Sequence, residues 1–327
     1  FADAGIDPKE IQAATFGSAF AGGPTTLAGA LKLDLVPVTR IENACATGGD
    51  TFRMACSLVA SGMYDLVLVG GVEKMSTLSS ERVQDALGAA SDVPLEFDQA
   101  GFTFPGLYAT MASAYMARYG STRQHLMHVA IKNHQNGALN PKAHLRRPLS
   151  VEQALASPEL APPLREADAA PLSDGAAAVL LAREDVARKT AAPIWLKGWG
   201  LCADAPMAHR DLAESKALRS AARAAYRMAG VSDPGREIDV AEVSEQYSYQ
   251  ELLWLKELDY PRPDRGNLSG GCLCAHAWTA AGLVRVIEAA LQLRGKASTQ
   301  APGARLALAH GQNGLCGASH AVWILGI

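Results

Sequence analysis

Hydrophobic residues along the chain fall into short apolar runs separated by stretches with a helical period. Residues 64–71 form an apolar run that ends in two glycines, which predicts a buried strand, and residues 50–60 before it carry small and apolar side chains on one helical face. Further buried strands are predicted at residues 11–17, 173–182 and 193–200. Strands that alternate with helices indicate an α/β protein.

The middle of the chain is predicted to be helical and irregular. Helices are predicted at residues 109–119, which Gly120 caps, and at residues 123–137, which follow a Ser-Thr capping pair. Residues 76–101 lose periodicity, which predicts an irregular loop. Residues 140–147 form a basic loop, which is either a solvated face or a contact for a phosphate-bearing ligand or a partner.

The order of elements in the first part of the chain recurs in the last part. Residues 224–243 have the same order of helix, Gly-x-x-Asp-Pro turn and strand as residues 1–17. Residues 267–309 begin at a Ser-Gly-Gly, continue as a helix and end in a strand, like residues 41–71. A repeat at so long a spacing indicates a duplicated domain rather than a solenoid. It makes two helix starts equivalent, one of which carries Cys45.

Composition excludes several kinds of protein. The 327 residues carry a net charge of -3, and 49% of them are hydrophobic, which is enough for a large core and about two domains. Because no basic patch is interleaved with aromatic residues, nucleic-acid binding is not expected. The apolar runs are too short for a membrane span or a signal peptide. The six cysteines lack metal-ligand spacing, which is typical of reduced cytoplasmic thiols. Phe1 already lies in a helix-like segment, so we expect a strand and a helix to precede it.

Cys45 is the candidate nucleophile. It lies between small residues immediately before the predicted helix at residues 50–60. A thiolate at a helix N-terminus is stabilised by the helix dipole and by unpaired backbone N–H groups, which lower its pKa. The alternative is that Cys45 is a small buried hydrophobe, as most unpaired cysteines are.

Two motifs resemble those of the thiolases. Asn-Ala-Cys-Ala-Thr-Gly at residues 43–48, followed by the Gly-Gly-Val-Glu-Lys-Met-Ser that ends at Ser76, closely resembles the thiolase nucleophile motif. Residues 269–282 resemble the second motif, in which Gly-His-Pro follows Ser-Gly-Gly. The resemblance covers essentially the whole chain and is closest to the archaeal and sterol-carrier-protein branches.

This resemblance implies a fold and a division of the chain. The expected fold is α/β, a thiolase fold with two duplicated βαβαβ-type halves in an αβαβα layered arrangement and an inserted loop domain. The first half would comprise residues 1–77 and 171–189, the inserted loop domain residues 78–170, and the second half residues 190–327.

The resemblance also implies a mechanism. Cys45 would attack an acyl-CoA thioester or a β-ketoacyl-CoA, which suits cysteine because it is both a good nucleophile and a good leaving group. His276, at the position of the family's Gly-His-Pro histidine, would activate Cys45 and stabilise charge on the thioester oxygen. The alternative for His276 is a satisfied core histidine. Coenzyme A would be a substrate, with no bound cofactor.

The chain departs from the family where an enolate would be held. It has Ser244, Glu245, Gln246 and Tyr247 where this branch has His-Asp-Cys-Phe or His-Asp-Ala-Phe. A charged carboxylate would repel an enolate, so Glu245 either transfers a proton in place of the family's second cysteine or points away from the site. Ser244 is a candidate for oxyanion contact, and Tyr247 is a candidate for the substrate pocket.

Other departures concern the second acid/base and the acyl pocket. His310 and Cys316 lie near the position of the family's second cysteine, and each either acts as the acid/base or lines a glycine-rich turn. Gly-His-Pro is replaced by Ala-His-Ala, followed by Trp278, which either shapes a pocket for an aromatic acyl group or packs in the core. Phe104 is a further candidate for the substrate pocket.

The resemblance implies partners as well. The chain is short at residues 261–265 for this family, which indicates either a deleted loop or missing residues. Archaeal-type thiolases commonly work with a small zinc-ribbon, OB-fold subunit that completes the CoA site. The lack of a zinc-ligand set in this chain fits a metal site on such a partner. A homodimer is expected, because thiolases usually dimerise through the strand near the nucleophile.

Three functions follow, in order of preference. The first is thiolytic cleavage, or the reverse Claisen-type condensation, of an unusual β-ketoacyl-CoA, of which an aromatic one such as benzoylsuccinyl-CoA is an example. The second is a thiolase-like aldolase or C–C lyase in which Glu245 or Tyr247 transfers the proton. The third is a non-catalytic scaffold subunit of an acyl-CoA complex. One fold can host several chemistries, so the site decides among them.

Overall fold

Two four-stranded sheets form the centre of the protein. The computed structural model describes residues 1–20, 22–33, 35–88, 101, 103–313 and 316–327. The strands are β1 (Ala13–Gly17), β2 (Val38–Ile41), β3 (Leu66–Glu73), β4 (Glu159–Ala161), β5 (Leu164–Arg165), β6 (Gly175–Ala182), β7 (Trp195–Ala203), β8 (Val240–Glu242), β9 (Leu306–Asn313) and β10 (Ser319–Gly326). The helices are α1 (Pro24–Leu31), α2 (Thr47–Ala60), α3 (Ser80–Gly88), α4 (Phe104–Tyr119), α5 (Arg123–Leu139), α6 (Val151–Ala156), α7 (Glu184–Ala187), α8 (Lys216–Ala229), α9 (Pro234–Glu237), α10 (Ser248–Glu257), α11 (Gly271–Cys274) and α12 (Ala281–Leu293).

The two sheets repeat one pattern of strands. In the first, ordered β2-β1-β3-β6, β1 pairs in parallel with β3, and β6 pairs antiparallel with β3. In the second, ordered β7-β10-β9-β8, β8 pairs in parallel with β9, and β10 pairs antiparallel with β9. The series β1-β3-β6 is therefore equivalent to β8-β9-β10, which confirms the predicted duplication.

Helices cover and separate the two sheets. Helices α2 and α12 contact each other and lie between the sheets, since α2 contacts both β3 and β9, and α12 contacts both β9 and β6. Helix α1 packs on β2, and α8 packs on β7 and β10. The layers therefore follow the predicted αβαβα order, and the fold class is confirmed. The boundaries proposed for the inserted loop domain stay a prediction.

Glycines allow α2 and α12 to approach closely. A Cβ on Gly48 would stand 2.9 Å from the carbonyl oxygen of Thr279, and a Cβ on Gly282 would stand 3.1 Å from the amide nitrogen of Gly49. Larger residues at these positions would push the helices apart. The contact brings the start of α2, with Cys45 before it, against the segment that leads into α12.

The prediction of an irregular loop at residues 76–101 is wrong in part. Its described portion contains helix α3, where the amide of Arg82 donates to Ser79 Oγ at 3.3 Å and the helix presents buried Val83 and Leu87 four residues apart. Nine residues give too few turns for a helical period to stand out in the sequence. Residues 89–100 lie outside the described part of the chain.

Most predicted elements are present with shifted ends. The strand predicted at residues 64–71 is β3, and the helix predicted at residues 109–119 begins earlier, at Phe104, because Thr103 caps it. Cores fill the space between the sheets and beneath α4, α8 and α10. Within the described residues, no helix is long and apolar enough to cross a membrane.

Candidate active site

Cys45 lies in a tight turn that leads directly into α2. The turn comprises Ala44–Ala46, and the amide of Asn43 before it donates to Thr47 Oγ1 at 2.8 Å. Ala44 has a φ of 46°, in the left-handed region that residues other than glycine rarely adopt. Such strain is held by surrounding contacts and often marks a functional site. The turn places the thiol at the N-terminal end of α2.

Two N–H groups donate to the sulfur of Cys45. The indole Nε1 of Trp278 lies 2.9 Å from Sγ, and the amide Nε2 of Gln246 lies 3.0 Å from it. Cys45 is 5% exposed. Burial raises the pKa of the Cys45 thiol to about 11, while the donors on Trp278 and Gln246 act in the opposite direction. The net shift is upward, so the lowered pKa expected from the helix N-terminus is not found: burial outweighs the donors that favour the thiolate.

We expect Trp278→Phe to slow the reaction of Cys45 with iodoacetamide by about tenfold or more, because a hydrogen bond to a charged group contributes about 1.5–3 kcal/mol. Phenylalanine keeps a ring beside Phe20, whose centroid lies 5.8 Å from that of Trp278, but it cannot donate to Sγ. The measurement is the pH dependence of the alkylation rate. The partly buried Trp195 serves as a control, and Trp195→Phe should leave the rate unchanged; an unaltered rate in Trp278→Phe would contradict the role of the indole.

Apolar and aromatic side chains surround the thiol. The residues packed around Cys45 come from the loops after β1 and β3, from α3, from the start of α4 and from the turn before α12, and they include Phe20, Met75, Val83, Leu87, Phe104 and Trp278. A row of rings continues from Phe104 through Tyr108 to Tyr247, with centroids 4.8 Å apart at each step. The structure thus brings Trp278, Phe104 and Tyr247 into one aromatic region that includes the surroundings of Cys45.

Glu73, at the end of the Gly-Gly-Val-Glu segment, joins the two halves of the chain beside the site. Its carboxylate accepts from the amides of Ala19 at 2.9 Å and Phe20 at 3.1 Å. It also accepts from Thr279 Oγ1 at 2.9 Å, next to Trp278. Glu73 therefore holds two walls of the site together.

Hydrogen bonds fix the backbone of residues 244–247. Gln250 Oε1 accepts from the amides of Gln246 at 2.8 Å and Tyr247 at 3.2 Å. The carbonyl oxygen of Ser244 accepts from Gln312 Nε2 at 2.8 Å. The fixed backbone directs the side chain of Gln246 to Cys45. Sequence analysis missed Gln246, because its only signal was its place in the altered motif, which does not show where the side chain points.

The carboxylate of Glu245 lies in a polar pocket of its own. Oε2 accepts from Asn267 Nδ2 at 2.8 Å, and Oε1 accepts from Asn133 Nδ2 at 3.1 Å and from the amide of Leu273 at 3.2 Å. A Cβ on Gly271 would stand 2.0 Å from Oε1, so glycine is needed there. Burial and the neighbouring Glu251 raise the pKa of Glu245 to about 8. These contacts favour the interpretation in which Glu245 points away from Cys45.

We expect Glu245→Gln to flatten the pH dependence of stability while catalytic activity is retained. Because the folded pKa of Glu245, about 8, exceeds its unfolded value, the folded protein holds more protons between about pH 4.5 and 8. The free energy of unfolding therefore falls as pH rises through that window, by on the order of 1.4 kcal/mol per pH unit. The measurement is urea unfolding at several pH values, with activity assayed alongside. A loss of activity of about 10²-fold or more would instead indicate that Glu245 transfers a proton.

His276 is buried with one ring nitrogen unpaired. Its amide donates to Ser173 Oγ at 3.1 Å, and its carbonyl oxygen accepts from the amide of Ser173 at 3.1 Å. Nε2 is buried and has no hydrogen-bond partner in the described part of the chain. Burial and nearby Arg285 lower the pKa of His276 to about 4, so the ring is neutral at neutral pH. His276 lies two residues before Trp278, whose indole contacts the thiol.

Both ring nitrogens of His310 are paired. His310 lies within β9, where Nδ1 accepts from the amide of Ser244 at 3.3 Å and Nε2 lies 2.9 Å from His320 Nδ1. Since an amide only donates, Nδ1 is the acceptor and Nε2 carries the proton. His320 Nε2 continues this series of hydrogen bonds to Ser215 Oγ at 3.0 Å.

The side chain of Ser244 lies beside a second buried cysteine. Its hydroxyl lies 3.6 Å from Cys272 Sγ.

Cys316 is buried at the turn before β10. It has a φ of 55° and packs in the same core cluster as Tyr108, Tyr247 and Tyr249. The pKa of Tyr108 lies well above its ordinary value because of burial and because both Cys316 and Cys45 oppose its ionisation. Both cysteines therefore act electrostatically on one tyrosine. Over the described ranges, no group of three or more His, Cys, Asp or Glu side chains is placed to hold a metal ion.

Comparisons of the sequence and the fold with known proteins lead to one family. Residues 1–154 match the family described as thiolase, N-terminal domain, and residues 265–327 match thiolase C-terminal domain-like. The acetyl-CoA acetyltransferase of Methanothermobacter thermautotrophicus is 35% identical over 344 residues, covering 96% of this chain and 88% of the relative. Sterol carrier protein 2 of Homo sapiens is 28% identical over 345 residues, covering 94% and 63%. The solved structure of the Ltp2-ChsH2(DUF35) aldolase has a TM-score of 0.84 at 22% identity, covering 99% of this chain and 89% of that one.

Proposed function

The chain belongs to the thiolase family and is an acyl-CoA C-acyltransferase, and we propose that it cleaves an unusual β-ketoacyl-CoA by thiolysis through an acyl-enzyme on Cys45. The observation that carries the proposal is the pair of N–H donors, from Trp278 and Gln246, on a thiol at the start of a helix. A buried structural cysteine needs no such donors. A nucleophilic thiolate does, because burial alone disfavours its charge.

The reaction has two steps. In the first, the thiolate of Cys45 forms a bond to the keto carbon, the adjacent C–C bond breaks, and the electron pair of that bond leaves as the enolate of a shorter acyl-CoA, which takes up a proton. In the second, the sulfur of free CoA, having lost its proton, attacks the acyl group on Cys45 and releases it as a second acyl-CoA. Both steps pass through a tetrahedral oxyanion, for which the N-terminal end of α2 can supply N–H donors.

His276 is proposed to take the charge that develops on the substrate thioester. Its buried Nε2 has no partner among the described residues, and the low pKa of the ring keeps it neutral at neutral pH. A neutral imidazole protonated on Nε2 donates to the thioester oxygen as that oxygen becomes an enolate. The family's second donor is missing, since Ser244 occupies its position and its hydroxyl lies near Cys272. Enolate stabilisation therefore depends on fewer donors than the family pattern implies.

Cys316 is proposed as the second acid/base. It shares the surroundings of Tyr108 with Cys45, whereas both nitrogens of His310 are engaged in a buried chain of hydrogen bonds. The enolate product needs one proton, and the incoming CoA thiol must lose one. A single thiol, that of Cys316, would serve both transfers, since it gives a proton in the first step and takes one in the second.

The acyl group is proposed to be aromatic or otherwise bulky. The rings of Trp278, Phe104 and Tyr247 belong to the aromatic region around Cys45 and offer flat apolar surface. An aromatic acyl group such as the benzoyl group of benzoylsuccinyl-CoA fits such walls, and free CoA is the second substrate. The preferred direction is degradative.

The proposed partners follow the family. A small zinc-ribbon, OB-fold subunit would complete the CoA site, and the Ltp2-ChsH2(DUF35) aldolase, whose name joins two components, is similar in fold to this chain. We also propose a homodimer and a cytoplasmic location. Measurement of mass and zinc content after co-expression with a candidate subunit tests the assembly.

A thiolase-like aldolase is the second candidate function. The replacement of the family's enolate loop by Ser244, Glu245, Gln246 and Tyr247 favours it, and so does the aldolase named among the similar folds. In that reaction no acyl group is transferred to Cys45. A retro-aldol enzyme would cleave a β-hydroxyacyl-CoA to an aldehyde or ketone and a shorter acyl-CoA, without free CoA.

Mass spectrometry of Cys45 tests the proposed function. The protein, with its partner subunit where one is available, is incubated with a panel of aliphatic and aromatic β-ketoacyl-CoA thioesters. We expect an acyl adduct on the Cys45 peptide that disappears when free CoA is added. An unmodified Cys45 across the panel, with β-hydroxyacyl-CoA cleaved instead, would favour the aldolase. Turnover of an assembled complex that is unaffected by both Cys45→Ala and His276→Ala would indicate a scaffold subunit.

A further inference from the structure

The carbonyl oxygen of the Gln246 side chain is buried and unpaired beside the nucleophile. Gln246 is 5% exposed, and its Nε2 lies 3.0 Å from Cys45 Sγ. Its Oε1 has no hydrogen-bond partner within the described residues. Buried polar atoms are nearly always paired, so an orphan acceptor at an active site indicates a group that arrives with the ligand.

The orientation of this amide follows from its neighbours. The backbone of Gln246 is held by the donation of its amide to Gln250 Oε1, so the side chain is directed to Cys45. If the amide were turned over, Oε1 would face the sulfur, and its lone pairs would repel a thiolate. Whenever Cys45 is a thiolate, Nε2 must face it, and Oε1 is left without a donor.

The reacting part of a β-ketoacyl-CoA cannot satisfy Oε1. The keto oxygen and the thioester oxygen are both acceptors, as are the oxyanions formed from them. Since no described residue donates to Oε1, the donor that fits it is another substituent of the bound molecule. Because the two heteroatoms of an amide are roughly 2.2 Å apart, given C=O and C–N bonds of about 1.23 and 1.33 Å, Oε1 lies within about 5.2 Å of the sulfur. A hydroxyl one or two carbons beyond the acyl carbonyl reaches that position.

We propose that Gln246 is a specificity-determining residue that selects an acyl group carrying a hydroxyl near the carbonyl that bonds to Cys45. This inference rests on the proposed function, and it names the substrate class as a hydroxylated β-ketoacyl-CoA. Nε2 of Gln246 holds the sulfur while Oε1 accepts from the substrate hydroxyl, so one side chain serves both reaction partners. A substrate without the hydroxyl leaves the buried acceptor unpaired, which discriminates against it.

Matched substrate pairs test this role. Each pair consists of two β-ketoacyl-CoA thioesters that differ only by a hydroxyl on the carbon beyond the keto carbon, with one pair aliphatic and one carrying a phenyl group. For the wild-type protein we expect kcat/KM to be about 10- to 100-fold higher for the hydroxylated member, the range expected when a buried acceptor is otherwise left unpaired. In Gln246→Met, which keeps the length of the side chain, the ratio should fall close to one.

The ratio separates this role from that of Nε2. Gln246→Met also removes a donor to Cys45, so turnover of both members falls, but only the loss of Oε1 changes their ratio. Gln135 is exposed on α5, and Gln135→Met serves as the matched control. A ratio close to one in the wild type, or a ratio unchanged in Gln246→Met, overturns the proposal. An equal loss for both members, joined to a raised KM for CoA, would assign Oε1 to the CoA molecule and also overturns it.

Binding distinguishes failure of this inference from failure of the proposed function. If no pair gives an acyl adduct, the proposed function fails, but calorimetric titration of Cys45→Ser with the same pairs still measures the preference for the hydroxyl, because the serine Oγ can accept from Nε2 in place of the sulfur. We expect the hydroxylated member to bind about 10- to 100-fold more tightly to Cys45→Ser. Equal affinities for the two members there would overturn the role of Gln246.

Discussion

Cys45→Ala is expected to lower thiolytic turnover by about 10⁴-fold or more, because loss of an enzyme's nucleophile removes the covalent route altogether. The N–H donors of Trp278 and Gln246 both reach Sγ of Cys45, and alanine leaves no nucleophilic atom at that place. Alanine at position 45 should leave the backbone of the turn unchanged, because the strained φ of 46° belongs to Ala44. The measurement is steady-state thiolysis of the best substrate from the panel, together with the thermal unfolding temperature.

Cys56→Ala provides the control for Cys45→Ala. Cys56 is a partly buried cysteine of α2, the same helix that Cys45 precedes, and its pKa is raised by burial. The Cys56→Ala variant should keep turnover close to that of the wild type. If Cys45→Ala folds normally and still cleaves a β-hydroxyacyl-CoA without free CoA, the acyl-enzyme is excluded and a retro-aldol reaction is favoured. If its thiolytic turnover survives, the nucleophile is another group.

The layered fold could be predicted from the sequence because the signals for it are local and repeated. An apolar run that ends in glycines marks β3, a run that follows Ser-Asp-Gly marks β6, and the same order of elements recurs around β8 and β9. These patterns arise from the need to bury one face of each element, and they persist in a single sequence. The short helix α3 was missed because nine residues give too few repeats of the helical period.

The site was predictable only where one residue carries its own chemistry. Cys45 could be selected by its position before a helix. Gln246 could not, because its role depends on a contact across 201 positions of sequence and on the hydrogen bonds of Gln250 that direct it. The direction of Glu245 could not be decided either, since it depends on Asn133 and Asn267 from distant segments. Long-range polar contacts decide these roles, and a single sequence has no periodic signal for them.

His276→Ala is expected to lower kcat/KM for thiolysis by about 10²- to 10⁴-fold, the range found when a group that moves or holds a proton is removed. Its unpaired Nε2 is proposed to donate to the thioester oxygen, and the neutral ring is needed to activate Cys45. Because burial lowers the pKa of His276 to about 4, the activity of the wild type should be constant near neutrality and fall as pH drops toward 4, where the ring gains its proton. His128, exposed on α5, gives the control His128→Ala, which should keep both the activity and that acid limb. Initial rates from pH 4 to 8 measure both effects. If His276→Ala keeps near-normal turnover, or keeps the same acid limb, the charge on the thioester is held elsewhere, and the neutral imidazole is a core histidine after all.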